Sequence, residues 1–189
     1  MPRSSMKPQV IIIGTGHRLQ AGHDSYTPSQ LEAFADLLET IRKKYRIEFI
    51  AEEMSVDVLP DFGVTATVAK TFAERRKLAH SYIDLTWQER TALGVDRLGL
   101  HQISQAANLR PEQFAALEKT VEELRECVWL VRVLDTNRWP ALLICGANHV
   151  PRIQYLFNTV GKLAVIEVND YQAQSDIQEV SRGKHREAY

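Results

Sequence analysis

The chain has little that would tie it to a membrane, to nucleic acid or to an oxidising compartment. Its 189 residues include only two cysteines, Cys127 and Cys145. They form no C-x-x-C pair and no disulfide framework. Both lie in apolar patterns, so each is expected to be a buried free thiol, and a cytoplasmic location is expected. No apolar run approaches the roughly 20 residues of a membrane helix, so no membrane partner is expected. Residues 1–8 are polar and lack the apolar segment of a secretory signal, which suggests a short disordered arm. Neither sign of charge dominates: 23 Lys and Arg stand against 24 Asp and Glu. That balance argues against nucleic acid as the main partner. Glycine is scarce, with nine residues, and histidine scarcer, with six. A repeated pattern that uses both is therefore informative.

Such a pattern occurs twice, in Gly14-Thr15-Gly16-His17 and in Gly146-Ala147-Asn148-His149. Each is G-x-x-H, and each follows an apolar run that reads as a buried strand, residues 10–13 and 141–145. A glycine turn at the carboxyl end of a parallel strand is where open α/β sheets keep their chemistry. His17 and His149 are therefore candidates for one shared site, as metal ligands or as a general base. Gly14, Gly16, Gly146 and Asn148 are expected to contact substrate. The first turn is neither G-x-G-x-x-G nor a P-loop, although a glycine turn of this kind can also cradle a phosphate.

A third apolar run, residues 48–51, ends in Glu52-Glu53. Strand alternation sends these two side chains to opposite sides, so one is placed to enter the crevice. Two histidines and one glutamate suffice for a catalytic metal site with a position left for water. Asp84 ends another predicted strand and is a candidate ligand, an orienting partner or a helix cap. Arg90 and Arg125 are candidates for an anionic group. For Arg125, a surface ion pair with Glu122 or Glu126 is the competing assignment. His23 shares a polar loop with His17; His80, His101 and His185 show no partner pattern.

Strands and helices alternate in the order β-α-β-α-β-α-α-β-α-β. This predicts an α/β fold: a single domain over 9–170, with a mostly parallel sheet of about five strands and helices on both faces. Residues 14–26 read as a polar loop, 96–109 as a loop with a short helix, and 171–189 as a polar tail. Thr27 and Pro28 should open one helix, and Arg110-Pro111 a long one.

These motifs and their order resemble the TraB/Tiki-like family of the erythromycin-esterase/ChaN-like superfamily. The resemblance rests on Gly14 to His17, Gly146 to His149, a glutamate at 52 or 53, and Arg125 in Glu123-Leu124-Arg125-Glu126. It spans residues 9–168 as motif order; residues 57–113 match no motif of the family. It implies an α/β core with clustered histidines and acids, and in some members metal-dependent hydrolysis. The expected protein is a hydrolase of a small-molecule or peptide substrate. It would use His17, His149, Glu52 or Glu53, and Arg125, with Mn, Co or Zn held by His17, Glu53, His149 and Asp84. A metal-free form, a binding module for an anion such as a nucleotide, and a scaffold with scattered histidines are the alternatives. A homo-oligomer is compatible with all of them.

Overall fold

The computed structural model describes residues 9–173. The arm at 1–8 and residues 174–189 of the tail lie outside those residues. Five strands form one sheet: β1 (Gln9–Thr15), β2 (Phe49–Glu52), β3 (Ala79–Tyr82), β4 (Ala141–Gly146) and β5 (Leu163–Tyr171). Their spatial order is β3-β2-β4-β1-β5, and every pairing is parallel. The crossovers that follow β1 and β4 run in opposite directions along the sheet. In an open α/β sheet that reversal opens a crevice beyond the strand ends.

Seven α-helices accompany the sheet among the described residues: α1 (His17–Ala21), α2 (Pro28–Tyr45), α3 (Val68–Arg76), α4 (Trp87–Ala92), α5 (Arg97–Ala106), α6 (Pro111–Thr136) and α7 (Val150–Thr159). None is long and apolar enough to cross a membrane. Strand alternation divides the core. Ile11, Ile13, Ile50, Leu142 and Ile144 face α2 and α3, where Phe34, Leu38, Ile41 and Phe72 meet them. Val10, Ile12, Ala51, Leu143 and Cys145 face α6 and α7, against Trp129, Val133, Ile153 and Phe157. Both faces are covered, as continuous Val/Ile/Leu runs in parallel strands require.

Helix starts follow local chemistry. The Thr27 hydroxyl accepts from the Gln30 N–H while the Gln30 side chain reaches back to the Thr27 N–H. Pro28 and Pro111 fill the first turns of α2 and α6, where a missing N–H costs nothing.

Four expectations are corrected. The loop at 14–26 contains α1; five residues are too few to show a helical period, yet Leu19 and Ala21 are buried. Residues 97–106 form a full helix, α5, capped by the Asp96 carboxylate on the Gly99 N–H. The last strand runs on to Tyr171 through Glu167, Asn169 and Asp170, because β5 is an edge strand and tolerates polar side chains. Cys127 is exposed, and only Cys145 is a buried thiol; Cys127 lies off the α6 stripe that faces the sheet.

Ile12 is fully buried at the centre of the sheet, whereas Val131 on α6 is half exposed. Ile12→Ala should lower the free energy of unfolding by about 2–5 kcal/mol. Val131→Ala should change it by less than about 0.5 kcal/mol. Urea denaturation of the two variants checks both values; equal losses would contradict this placement of the core.

Candidate active site

Strand register assembles the site. β1 and β4 are neighbours, with Gly14 opposite Cys145 and Thr15 opposite Gly146. β2 lies on the other side of β4, with Glu52 opposite Ile144. One residue further on, the Glu53 N–H donates to the Ile144 carbonyl at 2.8 Å. Its carboxylate then turns across the end of β4, and Oε2 accepts the Gly146 N–H at 2.6 Å. Oε1 faces three cationic or titratable groups. Arg125 Nη2 donates to it at 3.2 Å, His17 Nε2 stands 3.4 Å away and His149 Nε2 3.5 Å away. The two G-x-x-H histidines thus meet at one carboxylate oxygen, and the arrangement with scattered histidines does not occur.

The two imidazoles are held differently. His17 opens α1 and its side chain is 47% exposed. His149 ends a short 3-10 turn (Ala147–His149) and is 15% exposed. Its Nδ1 donates to Glu126 Oε1 at 2.7 Å, and the edge of its ring meets Trp129. A carboxylate on Nδ1 fixes the ring and directs Nε2 outward, towards Glu53. For His17, the hydrogen bond to Glu53 is the main influence, and it raises the pKa. For His149, burial acts first and lowers the pKa; Glu126 and Glu53 outweigh it, and the net direction is also upward.

A second buried acid supports the first. Asp84 accepts from Arg125 Nε at 3.0 Å and Nη2 at 2.7 Å, from Arg90 Nη2 at 2.5 Å and from Trp129 Nε1 at 2.9 Å. Burial alone would raise its pKa, but Arg125, Trp129 and Arg90 hold it below the usual aspartate value. Asp84 therefore clamps Arg125 in place beside Glu53.

The other expected residues divide plainly. Glu52 points to the opposite face of β2, where its Oε2 accepts from the Thr67 hydroxyl at 2.6 Å and pairs with His80 Nε2 at 3.0 Å. Glu53 is the carboxylate of the crevice. Arg125 pairs with Asp84 and Glu53 instead of its helix neighbours. Arg90 also donates to the Leu85 carbonyl and serves Asp84. At Gly14 a Cβ would lie 1.9 Å from the Asn169 carbonyl oxygen, so glycine is needed for the approach of β5. Gly16 has nothing within 4 Å of such a Cβ. Gly146 belongs to the site, because a Cβ there would meet Glu53, His17 and His149 at 3.3–3.5 Å. Asn148 is exposed beside His149, at the edge of a recess of about 240 Å³. His23 turns away to Ser25 and Asp24.

Sequence reasoning missed Glu126 and Trp129. The available signal was the stripe Glu126, Trp129, Leu130, Val133, in which a carboxylate occupies a position of the buried helical face. His80, which had no partner pattern, is the buried partner of Glu52.

The donor set does not suit a metal ion as it stands. Among the described residues, no three His, Cys, Asp or Glu side chains are grouped to hold one. Both oxygens of Glu53 are engaged by N–H donors, Asp84 is saturated by two guanidinium groups and an indole, and Arg125 already places a cation beside Glu53. The fold and site thus define an α/β protein with a buried carboxylate–imidazole–guanidinium cluster at its sheet edge. The chain matches no protein-family model, no curated protein and no solved structure.

The two glycines of the first motif should respond differently to a methyl group. Gly14→Ala should cost about 1–3 kcal/mol of stability through overpacking against β5. Gly16→Ala should cost about 0.5 kcal/mol or less. Thermal unfolding of both variants tests this, and equal losses would contradict the close approach at Gly14.

Proposed function

We propose that this protein is a hydrolase in which His149 is the general base. The observation that carries the proposal is the 2.7 Å hydrogen bond from His149 Nδ1 to Glu126. It leaves Nε2 as the proton-accepting atom, facing the space shared with His17 and Arg125. A carboxylate that fixes the tautomer and stabilises the imidazolium is the device by which a histidine serves as base.

The proposed steps use only these side chains. His149 Nε2 takes a proton from water as the water oxygen adds to the electrophilic centre. Arg125, held by Asp84, stabilises the negative charge that develops there. His17, whose pKa Glu53 raises, lies at the exposed mouth of the crevice and delivers a proton to the leaving group. The roles follow from placement, since Glu126 fixes the His149 ring in the buried part of the cluster while His17 stands at its exposed side. Anion binding without turnover has less support. Arg90 directs its guanidinium donors to Asp84 and the Leu85 carbonyl and so is engaged within the protein.

His149→Ala should lower kcat/KM for p-nitrophenyl acetate by about 10²–10⁴-fold. Glu126→Gln should lower it by about 10- to 100-fold. The pH profile supplies the sign. His149 must be neutral to act, and its pKa is raised, so the rate should climb with pH through a midpoint above the ordinary histidine value. Removing the Glu126 charge should move that midpoint down. Wild-type rates in His149→Ala, or an unmoved midpoint in Glu126→Gln, would refute the assignment. The activity should also survive EDTA; loss on chelation with recovery on adding Mn²⁺, Co²⁺ or Zn²⁺ would transfer the site to metal chemistry.

A further inference from the structure

Beside the cluster, the segment 93–106 packs against the amino-terminal half of α6 and leaves a cavity of about 800 Å³ between them. That volume lies within the range of small-molecule sites. Its walls are Val95, Leu98, Leu100, Phe114 and Val121, and it ends on Arg90 and Arg125. Arg125 also reaches Glu53, so one guanidinium is shared between the cavity wall and the cluster. α5 is apolar where it could be buried, yet only Leu100 is; Leu98 at the cavity edge remains 67% exposed. Charge narrows the occupant. The two arginines at the inner end are matched by Asp84 and Glu53, and the rim mixes Arg97 and His101 with Glu118 and Glu122. No net positive charge is left to select an anion.

We propose that this cavity is the specificity pocket for a neutral apolar arm of the substrate, an aliphatic or aryl chain joined to the carbonyl group that is hydrolysed. The inference rests on the hydrolytic reading for the position of the scissile bond. Water adds its oxygen to the carbonyl carbon beside Arg125. The bond from that carbon to the leaving oxygen or nitrogen breaks, and the leaving group takes the proton from His17. The products are a carboxylic acid whose chain occupies the cavity and an alcohol or amine that departs past His17.

Butanamide and octanamide serve as neutral probes, with binding to the full chain followed by ligand-detected NMR. Each buried methylene is worth about a three- to fourfold gain in affinity, so octanamide should bind at least about tenfold more tightly than butanamide. Leu98→Asp, at an exposed position that cannot unfold the core, should shrink that ratio. Val121→Trp, which fills the cavity, should abolish it. Equal binding of the two amides, or a ratio unchanged in both variants, would overturn the proposal. So would a stable dimer that Leu98→Asp splits, because the cavity would then be a subunit seat. The two readings separate cleanly. Octanamide binding without turnover of p-nitrophenyl octanoate keeps the pocket and removes the hydrolase. Turnover of p-nitrophenyl acetate, with no preference for longer chains in rate or binding, keeps the hydrolase and removes the pocket.

Discussion

Glu53 holds a carboxylate that is 1% exposed, and a buried charge is costly unless it is paired and hydrogen-bonded. Here it is matched on every side. The Gly146 N–H ties it to the end of β4, Arg125 ties it to α6, and His17 and His149 approach from α1 and from the turn after β4. Three separate segments therefore converge on Glu53 because one carboxylate must be satisfied. Removing one partner from such a buried set costs about 3–5 kcal/mol, since the remaining charge stays buried. Gly146 is glycine for the same reason: a side chain would enter the space in which the two imidazoles and the carboxylate meet.

Around this anion the cluster is graded. Asp84 fixes Arg125, Glu126 fixes His149, and Trp129 touches both halves of the cluster, donating to Asp84 and packing its ring against the His149 imidazole. The α6 residues Arg125, Glu126 and Trp129 thus set the geometry from one rigid helix, while His17 is left at the open side. The cluster thus sets a fixed imidazole opposite a more accessible one. Sites positioned by regular elements hold such geometry better than loops do.

Much of the fold was legible because its signals are local. Apolar runs of four or five residues, alternating with helical periods and caps at Thr27, Pro28 and Pro111, lead directly to a parallel sheet covered on both faces. The pairing of the two histidines was legible too, because both follow strands, and strand ends in a parallel sheet share one edge. The rest depended on quantities a sequence does not display. Choosing Glu53 over Glu52 requires knowing which face of β2 meets the crevice, and that is decided by the register with β4. Glu126 and Arg125 sit side by side in sequence among other charges, and only the rotation of α6 shows that both turn inward. His80 and Glu52 pair across neighbouring strands with no shared motif. Gly14 carried a signal whose structural source is the close approach of β5, which no strand or turn pattern displays.

The central claim is that Glu53 is the electrostatic hub of both G-x-x-H histidines. NMR titration of the imidazole resonances in wild type and Glu53→Gln tests it directly. The account predicts that His17 and His149 both titrate above the ordinary histidine value in wild type, and that both midpoints fall in the variant. If Glu53→Gln leaves either midpoint where it was, that histidine is not held by this carboxylate and the shared site is contradicted.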